Sequence, residues 1–411
     1  MSYYSRPIFR EVKIALYAGQ TAGRYAFFFY FLRSCVILPV SIFTCIFTAT
    51  DCGWKASYNM ETKIVTVNEK DIDEELLRQA GEVLKSGGLV AFPTETVYGL
   101  GGDALNRNSS RRIYEAKGRP SDNPLIVHIS KWEDIYAITQ NVPPEAEKIA
   151  KAFWPGPLTM ILPKSDMVPY ETTGGLDTVA VRMPSHPVAA KLIEYGGRYV
   201  AAPSANLSGR PSPTQAKYVR EDMDGRIDMI IDSGGVGIGL ESTIIDLTVT
   251  PPQILRPGYI TQKMLSEVLG TVDTDMTILS ADSGQAPKAP GMKYRHYAPK
   301  GELTIVTGAP VEVVAYINDR AQEDRAAGEK VGVIGTDEVS SLYHADSVKS
   351  VGSREDELSI GRRLYTILRE FDDEEVTKIY SESFAAEGYG QAIMNRLLKA
   401  AGHKLVDLRV R

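Results

Sequence analysis

The chain has 411 residues, enough for two or three domains that each bury a core, and its composition, with 43% hydrophobic and 24% charged residues, is that of a globular protein. The formal net charge of −6 argues against a protein that coats nucleic acid through bulk positive charge, although a local basic patch is still compatible with it. All three cysteines lie within the first 52 residues, so the remaining chain has neither a disulfide framework nor a cysteine metal site. This pattern suits a reducing cytosol and predicts a cytoplasmic protein.

Residues 1–60 form an apolar N-terminal extension that differs from the rest of the chain. Basic residues precede the apolar stretch 25–50, which is interrupted only by Arg33 and Pro39. A membrane anchor, a signal peptide and an upstream translation start outside the functional protein all fit this pattern. We favour the last interpretation, and we therefore expect residues 1–59 to be dispensable and expect no membrane partner.

Residues 61–270 predict one α/β domain, because short β-branched runs alternate with amphipathic segments. The predicted strands lie at 88–94, 124–130, 158–163, 178–184, 198–204, 228–234 and 242–248, and the predicted helices at 73–85, 109–117, 143–153 and 187–196. Several strands end at Pro, Ser, Thr or Gly, so polar groups gather at strand ends, where open α/β sheets bind small molecules.

Residues 271–300 are rich in Ser, Gly, Pro and Ala and predict a linker. Residues 301–411 predict a second, smaller α/β domain. Its predicted strands lie at 302–308, 330–336 and 378–384, and its predicted helices at 311–322, 357–372 and 390–402.

The stretch "EAKGRPSDNPLIVHI" places Lys117 in the last turn of a predicted helix and Arg119 just beyond Gly118, which suits the C′ position. The helix is predicted to begin at a serine cap in "NSSRR". Ser121 and Asn123 then provide hydrogen-bonding groups, as a phosphate-binding loop would. The alternative is a Lys that stabilises a helix end beside a solvated Arg. Because both cations lie at a helix end, replacing them should barely change thermal stability.

Two further loops carry polar side chains. In "AAPSANLSGRPSPT", Ser204, Asn206 and Ser208 follow a strand, and Ser212 with Pro213 is typical of a helix N-cap and its first residue. Closing of turns is the alternative role. In "FPTETVYGLGGDA", hydroxyls and a carboxylate follow a strand, and the G-x-G-x-x-A spacing lies too far from that strand for a dinucleotide site.

Arg182 lies within an apolar strand, where its charge needs a partner such as a carboxylate, and Ser242 precedes another strand. A salt bridge within the protein would satisfy Arg182 equally well. The five histidines show no metal-ligand spacing. We therefore predict no protein-held metal site, and any metal would arrive with a nucleotide.

Six segments, "PTETVYGLG", "KGRPSDNPLIVH", "WPGPLT", "VAVRMP", "APSANLSG" and "ESTIID", together resemble the YrdC-like domain of threonylcarbamoyl-AMP synthases. "APGMKYRHYAP" and the residues after it resemble the longer, two-domain form of that family. The resemblance covers residues 61–411. It implies a YrdC-like open twisted mixed sheet with helices, followed by a smaller Rossmann-like α/β domain.

The family resemblance also implies an activity: a nucleotidyltransferase that joins L-threonine, bicarbonate and ATP, with Mg²⁺, into threonylcarbamoyl-adenylate and releases pyrophosphate. A separate complex would pass the group to position 37 of tRNAs that read ANN codons. Four residues would be catalytic and hold the phosphates, namely Lys117, Arg119, Ser204 and Asn206. Further residues implied near ATP are Asn123, Thr178, Ser212, Arg256 and Tyr297. The residues implied near threonine are Thr96, His128, Arg182 and Ser242.

Two alternatives stay open at this point. One is a carbamoyl-adenylate-forming domain of the hydrogenase-maturation type, which usually lies in a larger chain with zinc-finger motifs. The other is a double-stranded RNA-binding module without catalysis, which makes RNA a further candidate partner.

Overall fold

The computed structural model describes residues 60–275 and 296–410, together with the backbone of two short strands nearer the N-terminus. These strands, β1 (Ala18–Thr21) and β2 (Arg24–Phe27), pair antiparallel. The chain divides into two compact units, Met1–Ser57 and Tyr58–Arg411. Most of the predicted extension, including the bulk of its apolar stretch, lies outside the described residues, so its role stays a prediction. In the part of the chain that is described, no helix has both the length and the apolar character needed to cross a membrane.

Within residues 60–275 the strands form one mixed sheet in the order β13-β12-β11-β7-β8-β6-β9-β5-β4-β10-β3. Their bounds are β3 (Lys63–Thr66), β4 (Val90–Phe92), β5 (Gly99–Asp103), β6 (Ile126–His128), β7 (Leu158–Pro163), β8 (Thr178–Arg182), β9 (Val200–Ala201), β10 (Met229–Asp232), β11 (Thr243–Asp246), β12 (Gln253–Arg256) and β13 (Asp273–Thr274). The parallel pair β6–β8 lies between antiparallel partners, so the carboxyl ends of β6 and β8 meet at one edge.

Helices cover both faces of this sheet. Their bounds are α1 (Glu74–Lys85), α2 (Arg107–Lys117), α3 (Ile135–Ile138), α4 (Pro144–Phe153), α5 (Tyr170–Thr173), α6 (Pro187–Tyr195), α7 (Ala216–Met223) and α8 (Gln262–Leu269). Two expected caps were wrong. Helix α2 begins at Arg107 with Asn106 as its cap, and α7 begins at Ala216 rather than after Ser212, because both Ser212 and the α2 serine Ser110 bond side chains elsewhere in the fold.

Residues 296–410 contain a second, parallel sheet in the order β16-β15-β17-β14-β18. Its elements are β14 (Glu302–Thr307), α9 (Pro310–Ala326), β15 (Val331–Gly335), β16 (Ser347–Ser350), α10 (Glu357–Asp373), β17 (Lys378–Glu382), α11 (Gly390–Ala400) and β18 (Leu405–Asp407). The predicted fold class, a mixed sheet followed by a smaller parallel α/β unit, is confirmed. The exact domain division stays a prediction, since residues 276–295 of the predicted linker lie outside the described residues.

Strand β5 was not predicted, because its sequence Gly-Leu-Gly-Gly-Asp has almost no β-propensity. The packing explains the glycines. A Cβ at Gly101 would lie 2.9 Å from the Phe92 ring and 3.0 Å from the Val200 side chain. Glycine therefore allows β5 to lie between β4 and β9 beneath bulky neighbours.

Both sheets belong to the compact unit Tyr58–Arg411. We call residues 60–275 the first α/β unit and residues 296–410 the second α/β unit. The second α/β unit packs on the loops of the first sheet. A buried cluster joins Val97 and Leu240 from the first unit to Leu364 and Tyr365 of α10. The contact brings α10 and α11 beside the ends of the strands that carry most of the predicted functional residues.

Candidate active site

A cavity of about 680 Å³, including its open mouth, lies where several strands of the first sheet give way to loops. Nine of the residues implied by the family resemblance line it: Lys117, Arg119, His128, Arg182, Ser204, Asn206, Ser212, Arg256 and Tyr297. They come from segments that are far apart in sequence, so the fold assembles one polar cavity from separate motifs.

Lys117 ends α2 and is only 3% exposed. Gly118 adopts the left-handed conformation (φ 60°) that ends the helix, as predicted. The Lys117 ammonium donates to the main-chain oxygens of Ser204 and, at 2.5 Å, of Asn206. The alternative of a lysine at a solvated helix end was therefore wrong, because this buried lysine joins the end of α2 to the loop after β9.

Burial lowers the pKa of Lys117 well below its ordinary value, and the positive charge of Arg119 lowers it further. Two carbonyl partners favour the ammonium form but do not outweigh burial. An anion in the cavity would offset both effects.

Arg119 lies at the cavity wall and donates to the main-chain oxygens of Asn123 and Pro124, each at 3.3 Å. Its Nε is buried and has no hydrogen-bond partner among the described residues. Burial lowers its pKa to about 10, so the guanidinium stays charged near neutral pH. Arg119 therefore brings positive charge and a donor not used within this part of the protein.

His128 and Arg182 are directly opposite each other on β6 and β8. Arg182 donates to Glu95 Oε1 at 2.7 Å, so a salt bridge within the protein, the alternative to a ligand carboxylate, is present, and the role of Arg182 in binding stays a prediction. Burial, aided by the positive charge of Arg182, lowers the pKa of His128 to about 3, so its imidazole is neutral at physiological pH. His128 can thus orient a ligand by hydrogen bonding but adds no charge.

The loop after β9 is ordered by its own side chains: Ser204 Oγ donates to Asn206 Oδ1 at 2.5 Å, and the Asn206 amide donates to the Leu207 and Arg210 carbonyls. Ser212 donates to Glu241 Oε1 at 2.6 Å. These bonds hold the loop in place beneath the cavity.

Arg256 at the end of β12 donates from Nε to the main-chain oxygen of Ser242 at 3.0 Å and from Nη2 to its hydroxyl at 3.1 Å. The Ser242 hydroxyl in turn bonds Thr159 at 2.8 Å. Burial lowers the pKa of Arg256 to about 10, so this residue is also charged near neutral pH. Ser242 therefore holds the Arg256 guanidinium in place through these two hydrogen bonds.

Tyr297 closes one side of the cavity with its backbone at φ 64°, and its ring stacks on Tyr365 of α10 at 5.2 Å between centroids. Tyr297 belongs to the predicted linker, residues 271–300, so the end of that linker reaches the site.

Four implied residues do not line the cavity: Thr96, Asn123, Thr178 and Ser242. Thr96 is buried and bonds Thr94, whose hydroxyl bonds the Val97 carbonyl. Both polar side-chain atoms of Asn123 are buried and lack a partner in the described part of the chain. Thr178 lies at the start of β8, on the same face as Arg182 but roughly 13 Å away, at about 3.3 Å per residue.

Glu241 is the main cavity residue that the sequence analysis missed. It precedes Ser242 in "ESTIID", and a carboxylate next to a buried strand was the available signal. Two of its partners, Tyr365 and Arg396, come from the second α/β unit, which no local pattern could show. Ser208 and His296 also line the cavity.

No group of three or more His, Cys, Asp or Glu side chains suited to a metal ion occurs within the described ranges. Glu241, the carboxylate of the cavity lining, is engaged by Ser212 and by residues of the second unit. We therefore assign no protein ligand to a metal.

Three cationic side chains, Lys117, Arg119 and Arg256, share one cavity with hydroxyl and amide groups at the ends of sheet strands. This arrangement defines a class, the α/β proteins that bind a polyanionic ligand at strand ends. Two family models match the chain and narrow this class further. The model described as "Telomere recombination" matches residues 82–258, and that described as "Threonylcarbamoyl-AMP synthase, C-terminal domain" matches residues 260–402.

The chain is 49% identical to the threonylcarbamoyl-AMP synthase of Pyrococcus abyssi over 84% of its length and all of that protein. It is 46% identical to the Bacillus subtilis enzyme of the same name, again over 84% of the chain and all of the relative. The structure of P. abyssi Sua5 complexed with L-threonine matches with a TM-score of 0.80 and 47% identity, covering 84% of this chain and all of that one. The chain belongs to the threonylcarbamoyl-AMP synthase family and is an enzyme of the nucleotidyltransferase type. The alternative of an RNA-binding module without catalysis is not favoured.

Proposed function

We propose that the chain joins L-threonine, bicarbonate and ATP into threonylcarbamoyl-adenylate, with release of pyrophosphate. The observation that carries the proposal is the convergence of Lys117, Arg119 and Arg256 in one cavity that His128 and Arg182 also line. The roles assigned to individual residues below are part of the proposal.

The three cations form the phosphate side. Arg119 and Arg256 provide guanidinium groups for phosphate oxygens, and Lys117 places an ammonium between them and the loop of Ser204 and Asn206. Preorganised positive charge stabilises the negative charge that builds up during phosphoryl chemistry. Asn123, whose buried amide has no partner within the described residues, would serve the nucleotide as well.

The proposed ligand extends along β8, beyond the residues that line the cavity itself. Thr178, Ala180 and Arg182 alternate on one face of β8, and an apolar cluster on this part of the sheet includes Ile126 and Ala180. We place the nucleotide toward Thr178 and threonine toward Arg182. The similar P. abyssi Sua5 structure is a complex with L-threonine, which supports threonine as the amino acid.

The reaction balances in two steps. The threonine amine attacks the bicarbonate carbon, an N–C bond forms, and water leaves to give the carbamate. A carbamate oxygen then attacks the α-phosphorus, and the bond from that phosphorus to the bridging oxygen breaks. Pyrophosphate leaves with the electron pair, and Lys117, Arg119 and Arg256 neutralise the crowded charge.

Mg²⁺ belongs to the proposal as a companion of ATP, where it would reduce the charge of the phosphates. Removal of divalent ions with EDTA should abolish pyrophosphate release, and added Mg²⁺ should restore it. Activity that persists in EDTA would contradict this part. Transfer to tRNA by a separate complex, RNA binding and a cytoplasmic location are proposals that rest on the same reaction.

The test uses the full chain with MgATP. Pyrophosphate release is measured with threonine and bicarbonate together, with each omitted, and with serine in place of threonine, and the adenylate is identified by mass spectrometry. We expect release that needs both substrates and a product with the mass of threonylcarbamoyl-adenylate. Release that ignores threonine would indicate ATP hydrolysis, and a folded protein that binds RNA without turnover would support the non-catalytic alternative.

A further inference from the structure

Glu241 introduces a negative charge into a cavity proposed to bind phosphates. It is 7% exposed and lines the cavity with Arg256. A carboxylate there would repel ATP unless another group neutralised it, because charges interact strongly where water is excluded. The identity of its partner therefore matters for nucleotide binding.

The partner comes from the second α/β unit. Arg396 of α11 is completely buried, and its Nε donates to Glu241 Oε2 at 2.8 Å. Its Nη2 also lies 3.4 Å from the Glu241 main-chain oxygen. Tyr365 of α10 donates its hydroxyl to Oε2 at 3.0 Å. Burial alone would raise the pKa of Glu241, but the positive charges of Arg396 and Arg256 outweigh it and lower the pKa to about 2.

Arg396 reaches a second part of the cavity wall. Its guanidinium carbon lies 5.8 Å from the centre of the Tyr297 ring, which stacks on Tyr365. One arginine from the second unit thus contacts two residues that line the cavity but does not line it itself.

We propose that Arg396 is a positioning residue for ATP binding: by neutralising and holding Glu241, it keeps an uncompensated carboxylate out of the cavity that is proposed to bind the phosphates. This inference rests on the proposed function. It gives the second α/β unit a direct role, since the first unit provides the carboxylate and the second provides its counter-charge. Without Arg396, Glu241 would lose this ion pair, and the net charge in and around the cavity would become more negative by one unit.

The test compares binding of ATP and of threonine, each measured by calorimetry, in the full chain and in Arg396→Met. We expect the Kd for ATP to rise by about tenfold or more, the scale for leaving one charge of a buried pair uncompensated. The Kd for threonine should change much less. Arg396→Lys, which keeps the charge, should bind ATP more tightly than Arg396→Met does.

A charge-specific rescue separates this role from a merely structural one. In Arg396→Met, the additional change Glu241→Gln should recover most of the lost ATP affinity, because no unpaired carboxylate remains. Arg354→Met is the matched control, since it breaks the ion pair of Arg354 with the buried Glu382 inside the second unit. It should leave the Kd for ATP unchanged.

The outcomes are distinguishable. If the unchanged chain binds no ATP, the proposed function fails and the inference fails with it. If the chain binds ATP and Arg396→Met binds it equally well, or loses ATP and threonine affinity in parallel without rescue by Glu241→Gln, the inference alone is overturned. If Arg396→Met does not fold, two other variants provide the test: Arg396→Lys, and the double variant Arg396→Met with Glu241→Gln. The inference is contradicted if both variants fold and lose ATP affinity to the same large extent.

Discussion

Lys117 is almost completely buried, yet its proposed role in phosphate binding needs a positively charged side chain. Its two carbonyl partners belong to Ser204 and Asn206, so the side chain fixes the distance between the end of α2 and the loop after β9. The sequence alone predicts that its replacement changes stability very little; because removal would leave two carbonyls without their donor, we now expect a measurable loss.

Lys117→Met should therefore reduce both catalysis and stability. We expect kcat/KM for ATP to fall, with a rise in the activation free energy of about 2–4 kcal/mol, the scale for one preorganised charge contact. The free energy of unfolding should fall by about 1–3 kcal/mol because of the unpaired carbonyls. Steady-state kinetics and urea unfolding measure the two effects. The exposed Lys148→Met on α4 is the control, and a stable Lys117→Met with normal kinetics would contradict the assignment.

Binding of ATP should take up a proton at Lys117 at pH values between the pKa of this lysine in the free protein and its pKa in the ATP complex. In the ligand-free protein, burial and Arg119 lower the pKa of this lysine, and bound phosphates should raise it again. ATP affinity should then be highest at pH below the ligand-free pKa and should fall as pH rises through it. Calorimetry in buffers of different ionisation enthalpy reports the proton uptake, which should disappear in Lys117→Met. The same uptake in both proteins would assign it to another group.

Among the secondary-structure elements, the glycine-rich strand β5 helps the first sheet to position the site. Strand β5 lies between β4 and β9, and the next element along the chain is α2, which ends at Lys117. The close packing of β5 therefore affects where α2 lies. Leu100 is fully buried, whereas the glycines on either side of it leave room for Phe92 and Val200.

Gly101→Val should be strongly destabilising. Even the first added carbon would lie 2.9 Å from the Phe92 ring and 3.1 Å from the Val90 carbonyl oxygen. We expect a loss of about 1–3 kcal/mol or more in the free energy of unfolding, as for overpacked cores. Gly175→Ala is a milder comparison in a loop with open space around the Cβ, although its positive φ adds some strain. Equal stability of Gly101→Val and the unchanged protein would contradict the packing argument.

For the whole molecule, buried ion pairs join the two α/β units. Arg369 of α10 is 1% exposed and donates to both carboxylate oxygens of Asp222 on α7, at 3.0 and 2.7 Å. It also donates to the Pro211 carbonyl, next to the cavity residue Ser212. The second unit therefore supports the loop after β9 as well as Glu241.

Arg369→Met should cost about 3–5 kcal/mol of stability, because it leaves a buried carboxylate short of its main partner. Urea unfolding followed by tryptophan fluorescence, to which Trp132 and Trp154 of the first α/β unit contribute, should show a lower midpoint. Arg369→Met combined with Asp222→Asn should recover part of the loss. A double variant no more stable than the single one would show that the charge is not what matters.

The sequence by itself determined the fold class, most strands and helices, and the motifs that carry Lys117, Arg119, Arg182 and Ser204. These depend on local patterns: β-branched runs, helix ends at glycine, and polar residues directly after strands. The end of α2 at Gly118 and the ionic partner required by Arg182 could be predicted because each follows from the residue and its immediate neighbours.

Only the tertiary structure decided which side chains meet. The bond from Lys117 to the Ser204 carbonyl, the bond from Ser212 to Glu241 and the ion pair of Glu241 with Arg396 join residues separated by 87, 29 and 155 positions. The strand at Gly99–Asp103 likewise depends on neighbours that come from elsewhere in the chain. Burial and ion pairing depend on distances in space, and those are set by how the two sheets pack, which no local pattern encodes.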